Sequence, residues 1–261
     1  MSATPSAALL LAASFAFAAK CGAWCLQRRS GNAGIVDAIW AWTLGAIAVL
    51  FALLGGAPPA LRLLLALMGG LWGLRLGAHL WRRNAGAPED WRYAQLRARW
   101  GDAAQVKMFA FFQFQNLFTL TLAASAFMPV AWRIAMPSPA AIVAAIAIWL
   151  VALTGEAVAD AQMAAFRADP QRRGGVCDTG LWRWSRHPNY FFECLHWCAY
   201  VPLALGAPCG WATFAAPLVM ATLLLRFSGV PLLEAELMRR KPGYRDYVRR
   251  TSVLIPWPPR S

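Results

Sequence analysis

Gly180-Leu-Trp-Arg-Trp-Ser-Arg-His-Pro-Asn-Tyr190 places Arg183, Arg186 and His187 between two long apolar stretches. Pro188 then restarts the chain into an apolar run that still carries Asn189, Glu193 and His196. Lipid penalises such groups, so at a membrane edge they are suited to holding an anionic or polar ligand. A second set precedes them. Glu156 and Asp160 are four residues apart, on one face of a helix, and Arg167 returns to that face two turns later. Two buried carboxylates at that spacing repel unless one is protonated or both accept hydrogen bonds, which calls for a partner or ligand.

Other polar groups sit in apolar surroundings. Asn189, Glu193 and either His196 or Trp197 share a face; Gln113, Gln115 and Asn116 lie in another stretch, and Asp37 and Trp40 open a third. A hydrogen bond between membrane helices is worth only about 0.6 kcal/mol on average. For the three amides, such a bond and a ligand contact serve equally well as explanations, and for His196 a structural role serves at least as well. Glu156, Asp160 and Glu193 point to function, because a buried carboxylate is costly as packing glue.

The elements that must position these residues are membrane helices. Of 261 residues, 59% are hydrophobic and only 14% charged, against about 25% in soluble domains. Open spans in lipid satisfy their own backbone polar groups only as helices. The expected fold is an all-α polytopic bundle in one domain, 1–261, with about seven spans near 6–26, 35–55, 59–80, 108–130, 139–162, 189–206 and 210–228. The N-terminal apolar stretch reads as the first span rather than a signal peptide, since no basic residue precedes it. Fourteen tryptophans suit two membrane–water interfaces.

The connectors alternate between basic and nearly uncharged, which sets the N-terminus outside and the C-terminus in the cytoplasm. Lys20 and Arg75 lie near cytoplasmic ends, from which they can snorkel. Segments 82–107, 164–188 and 226–261 then face the cytoplasm together as an anion-binding mouth. The net charge of +13 therefore reflects membrane topology and not nucleic-acid binding. The six cysteines form no CxxC pair, and no metal-ligand spacing is present.

Gly180–Glu193 resembles the C-terminal signature of the steroid 5-alpha-reductase and sterol-reductase superfamily, nearest its bacterial membrane branch. The resemblance covers residues 150–257. It is supported by Arg226-Phe-Ser-Gly-Val-Pro-Leu-Leu-Glu-Ala-Glu, Pro242-Gly-Tyr-Arg-Asp-Tyr and Leu254-Ile-Pro-Trp, and more weakly by His79-Leu-Trp-Arg-Arg83. It implies an NADPH-dependent membrane reductase, in a bacterial inner membrane, that gives hydride to an activated C=C or C=O of a lipophilic substrate. The dinucleotide would lie inside the helices with its mouth toward the cytoplasm, so no GxGxxG motif is required. On this resemblance Arg167, Arg186 and Arg226 hold phosphates, while Asp160, Asn189 and Glu193 orient sugar and nicotinamide. Arg83, His187 and Tyr244 complete the cofactor set. Asp37, Glu156 or Tyr190 would polarise the substrate or deliver a proton.

The chain departs from the steroid reductases at Leu80, where they carry tyrosine, at Glu156, where they carry asparagine, and after Arg226. A 3-oxo steroid substrate therefore does not carry over. Arg186-His187-Pro188-x-Tyr190, with Glu234-Ala-Glu236 and Tyr244/Tyr247, is also compatible with S-adenosylmethionine-dependent methyltransferases of isoprenylcysteine or phospholipids. A non-enzymatic lipid-binding protein is the third alternative.

Overall fold

The computed structural model describes residues 2–260, and its regular elements are all helical. Among the described residues the only β-type pairing is an isolated bridge between Ser185 and Ser252. Six helical stretches are long and apolar enough to cross a membrane: Pro5–Ser30, Ile35–Leu54, Pro59–Asn84, Trp91–Ala131, Pro139–Ala168 and Gly210–Arg240. The chain is an all-α, integral multi-pass membrane protein.

The span expected at 189–206 does not form one helix of membrane length. It is helical over Pro188–Cys198, turns at Ala199 and Tyr200, and resumes for Val201–Ala204. Pro202 explains the break: it has no N–H to return to the Cys198 carbonyl, and its ring clashes there. The chain divides into two compact units, one running to Pro137 with Ala204–Thr213, the other Ser138–Leu203 with the chain from Phe214 on.

The first unit contains α1 (Pro5–Ser30), α2 (Ile35–Leu54), α3 (Pro59–Asn84), α4 (Trp91–Trp100), α5 (Ala104–Leu122) and α6 (Met128–Ala131). α1 buries Ala8, Ala12, Ala16, Lys20, Ala23 and Gln27, an alanine stripe interrupted by two polar groups. Lys20 does not snorkel. It is fully buried, and its ammonium donates to the Gln115 carboxamide at 2.8 Å. The cause is register: Lys20 falls in the buried stripe and sits ten residues before the helix ends. Below it, Gln27 donates to Gln105 and accepts from Arg97, which also pairs with Glu89. These bonds tie α1 to α4 and α5.

α2 and α3 meet at glycines. Gly69, Gly73 and Gly77 recur every fourth residue on α3, and a Cβ on Gly73 would lie 2.7 Å from the Gly45 Cα. Small residues at this spacing let membrane helices approach closely enough for dispersion to hold them. α5 passes into α6 through a π-turn, Ala123–Phe127, just before Pro129, whose missing N–H rules out a regular ladder there. α4 is a short helix in the stretch expected to be a basic loop, and Asp90 caps it by accepting from the Arg92 backbone N–H at 3.0 Å. Burial pushes the Asp90 carboxyl up, but the hydrogen bonds and charge of Arg92 outweigh it and hold the group below its ordinary value.

Gly73→Ala is expected to destabilise the purified protein by about 1–3 kcal/mol, because the new methyl meets backbone rather than a movable side chain. Gly22→Ala, with open space around it, serves as control. Equal unfolding midpoints in detergent would show that α2 and α3 do not depend on this contact.

Candidate functional site

The second unit contains α7 (Pro139–Ala168), α8 (Pro188–Cys198), α9 (Val201–Ala204, Ala204 itself counting with the first unit), α10 (Ala215–Thr222), α11 (Val230–Arg240) and α12 (Tyr244–Arg250). Ser138 caps α7 by accepting from the Ala141 N–H, and Pro139 opens it. The buried line of α7 is Ala145, Trp149, Ala152, Glu156 and Ala159, so Glu156 occupies a position otherwise held by apolar residues. Asp160, next to that line, is half-buried, and Arg167 in the last turn is exposed.

α8 runs back against α7. A Cβ on Gly155 would strike the Phe192 ring, so the glycine is what lets the two helices close. This contact fixes their register. Glu156 and Glu193, each adjacent to one member of the contact, are both buried. Because the helices are antiparallel, Asp160 then falls near the start of α8, where Asn189 stands half-buried. Glu193 accepts from the Trp197 indole at 2.9 Å. His196 is buried with its Nε2 3.2 Å from the Tyr200 hydroxyl and its ring edge-on to Trp197, a structural setting.

The loop between α7 and α8 is fastened to α7. The Trp182 indole donates to the Ala159 carbonyl at 3.0 Å, and the Leu181 N–H donates to the Gln162 carboxamide at 2.9 Å. Its end, Arg186-His187, turns to α11. Glu234 accepts from Arg186 Nε at 2.7 Å and faces His187 Nε2 at 2.9 Å. Arg186 also donates to the carbonyls of Val248 and Thr251. Arg186 and His187 therefore direct polar atoms to the protein's own carboxylate, and Arg186 to backbone carbonyls as well. Arg is well suited to this, since its planar fork meets a carboxylate in two places.

His187 in turn orders Tyr190, one turn ahead. Their rings stack at 5.2 Å between centroids and 7° between planes. The other side of Tyr190 is made possible by Gly229, where a Cβ would lie 2.9 Å from the tyrosine Cε2. Gly229 separates α11 from a π-turn, Leu223–Phe227, in which Arg226 is exposed. Tyr244 is buried against Tyr247, whose hydroxyl donates to the carbonyls of Trp182 and Ser185. Burial pushes both phenols above their ordinary range, with Glu234 adding to the effect at Tyr244 and Tyr244 at Tyr247.

At the end of α7 three cations gather. Arg172 and Lys241 lie over the Phe166 ring at 5.9 and 5.6 Å from its centroid. Burial, and then the charge of Arg167, push the Lys241 ammonium below its ordinary value. Beside them opens a cavity of about 360 Å³ lined by Gln162, Phe166, Asp169, Arg172, Thr179 and Gly180.

Residues 23–251 match the family described as Protein of unknown function (DUF1295). The chain belongs to this family. No curated protein and no solved structure matches it. The DUF1295 match takes in every expected site residue. Two of these, Asp37 and Arg83, lie in the first unit. Asp37 accepts from the Tyr93 hydroxyl at 2.6 Å and from Arg92 at 3.0 Å, and Arg83 is exposed at the end of α3. Glu234 was not singled out as a site residue from the sequence. The signal is an Arg-His pair at the head of α8, and the acid that meets it stands 47 residues on.

Glu234→Gln is expected to lower stability by about 3 kcal/mol, since it leaves a mostly buried guanidinium without its counter-charge. Combining it with Arg186→Met is expected to cost less than the sum of the two single changes. Strict additivity in detergent unfolding would show that the pair does not act together.

Proposed function

We propose that this protein is an NADPH-dependent membrane oxidoreductase that reduces an activated C=C or C=O of a lipophilic substrate, in keeping with its resemblance to the steroid 5-alpha-reductase superfamily. The observation that carries this reading is the order of groups along α7. Glu156 lies in its buried line, Asp160 one turn on, and Arg167 with Arg172 and Lys241 at its end beside a cavity. From Glu156 to Arg167 is about 16 Å along the helix axis. An elongated ligand with a neutral polar head, sugar hydroxyls and phosphates matches that sequence of acceptors followed by cations.

The donor set fits such a group. Asp160 and Glu193 can accept from ribose hydroxyls, Asn189 offers donor and acceptor to a carboxamide, and Arg167 and Arg172 suit phosphate oxygens. Arg226, exposed in its π-turn, is a further phosphate partner in this reading. When bound, NADPH supplies the hydride. The chain supplies position and a proton: Tyr190, clamped by His187, and Glu156, in an apolar line, are the groups on this unit able to polarise a carbonyl or deliver a proton. Asp37, hydrogen-bonded to Tyr93, is the corresponding candidate in the first unit. The cation-bearing end of α7 faces the cytoplasm of a bacterial inner membrane in this scheme, following the alternation of basic connectors.

S-adenosylmethionine carries a sulfonium and no phosphate, so positive charge at the end of α7, where Arg172 also pairs with Asp169, suits the dinucleotide better. Calorimetry on the purified protein separates the two. NADPH is expected to bind, S-adenosylmethionine not to, and Asp160→Asn and Arg167→Gln each to weaken NADPH by about tenfold or more. Binding of S-adenosylmethionine with none of NADPH would overturn the reductase reading.

A further inference from the structure

The end of the chain forms a closed strap. Arg186 N–H donates to the Ser252 carbonyl at 2.8 Å, Ser185 Oγ to the Leu254 carbonyl at 2.8 Å, and Trp257 N–H to the Trp184 carbonyl at 2.9 Å. Arg260 N–H then returns to the Arg250 carbonyl at 2.9 Å. The strap borders a cavity of about 320 Å³ whose lining includes Arg249, Arg250, Thr251, Ser252, Trp257 and Arg260.

Arg249 pairs with Asp246, but Arg250 and Arg260 have no carboxylate partner among the described residues. A backbone hydrogen bond joins the two residues, both are exposed, and both line the same cavity. Large apolar groups surround this cationic cavity in the open: Trp257 is 66% exposed, Ile255 64% and Trp184 44%. Water satisfies the exposed arginines but not the exposed tryptophans and isoleucine. A dissolved anion would account for the arginines and leave the tryptophans and isoleucine in water. One occupant accounts for both.

We propose that the strap is a seat for the headgroup of an anionic phospholipid. Arg250 and Arg260 hold the phosphodiester, by the charge-assisted forked bonds that guanidinium makes to phosphate. Trp257, Trp184 and Ile255 enter the headgroup–acyl boundary, where indole is at home. The lipid thereby buttresses the segment that fastens Arg186 and Ser185 at the head of α8. This proposal rests on the protein's membrane nature and the strap geometry alone, and stands or falls independently of the cofactor.

Native mass spectrometry of the detergent-purified protein, titrated with phosphatidylglycerol and separately with phosphatidylcholine, tests it. Wild type is expected to retain phosphatidylglycerol in preference. The double variant Arg250→Gln/Arg260→Gln is expected to lose that retention by about tenfold or more, at an unchanged unfolding midpoint without added lipid. Arg28→Gln/Arg29→Gln, an equal loss of charge at the end of α1, is expected to retain it. Three outcomes overturn the proposal: undiminished phosphatidylglycerol retention in the strap variant, equal loss in the control variant, or displacement of the lipid by millimolar inorganic phosphate or NADPH. The last would make the strap a site for dissolved phosphates.

Discussion

Glu234 takes both Arg186 and His187, and the geometry of the second unit hangs on that contact. The carboxylate anchors α11 to the head of α8. Through Arg186 it also reaches the carbonyls of Val248 and Thr251, and so reaches the end of α12. Through His187 it sets the plane on which Tyr190 stacks. One side chain thus holds three segments that have no continuous backbone hydrogen bonding between them. The ion pair is mostly buried, and such pairs gain little over apolar packing while costing much when half is removed. Its value is therefore positional: it dictates where the Arg-His-Pro turn lies and which way the next residues face.

The first unit solves a different problem with neutral groups. Lys20 would be an isolated charge in an alanine stripe, and the Gln115 carboxamide accepts from it. Gln27 and Gln105 do the same for each other, with Arg97 and Glu89 at the outer end of the chain of bonds. Amides accept and donate at once, so they can link a charged group to the protein without adding another charge to desolvate. The α2–α3 contact uses the opposite device, removing side chains until backbone meets backbone. α2 is the most buried of the membrane-length helices because α3 closes on it at these glycines while α1, α5 and α6 also pack against it.

The apolar spans and their helical state were readable because length and hydrophobicity alone decide them. Glu156 with Asp160, and Asn189 with Glu193, are legible as two pairs because helical spacing puts each pair on one face. Other features required tertiary knowledge. Lys20 looked able to snorkel since distance to a helix end is visible in a sequence, but the register of the buried stripe is not. The break at Pro202 was hidden in an apolar run of suitable length. α4 was hidden by its arginines, which read as topology charges while Asp90 was already a capping residue. The acid that Arg186 meets lies far along the chain, and a pairing across 48 residues leaves no local trace.

Two glycines carry the sequence signal for the site's shape. Gly155 stands immediately before Glu156, and Gly229 follows Arg226 by three residues. At each, a Cβ would collide with an aromatic ring of α8, Phe192 in one case and Tyr190 in the other. Glycine costs conformational entropy, within α7 at Gly155 and ahead of α11 at Gly229, unless something needs its space. Here the two spaces are filled by rings on the two sides of one short helix, which pins that helix between α7 and the start of α11. The consequence is rotational. α8 is only eleven residues long and could otherwise turn about its axis; with Phe192 and Tyr190 both seated, Glu193 stays beside the Gly155 contact and Asn189 one turn away, toward the end of α7. The polar order along α7 acquires a matching order on α8 because two glycines admit two rings.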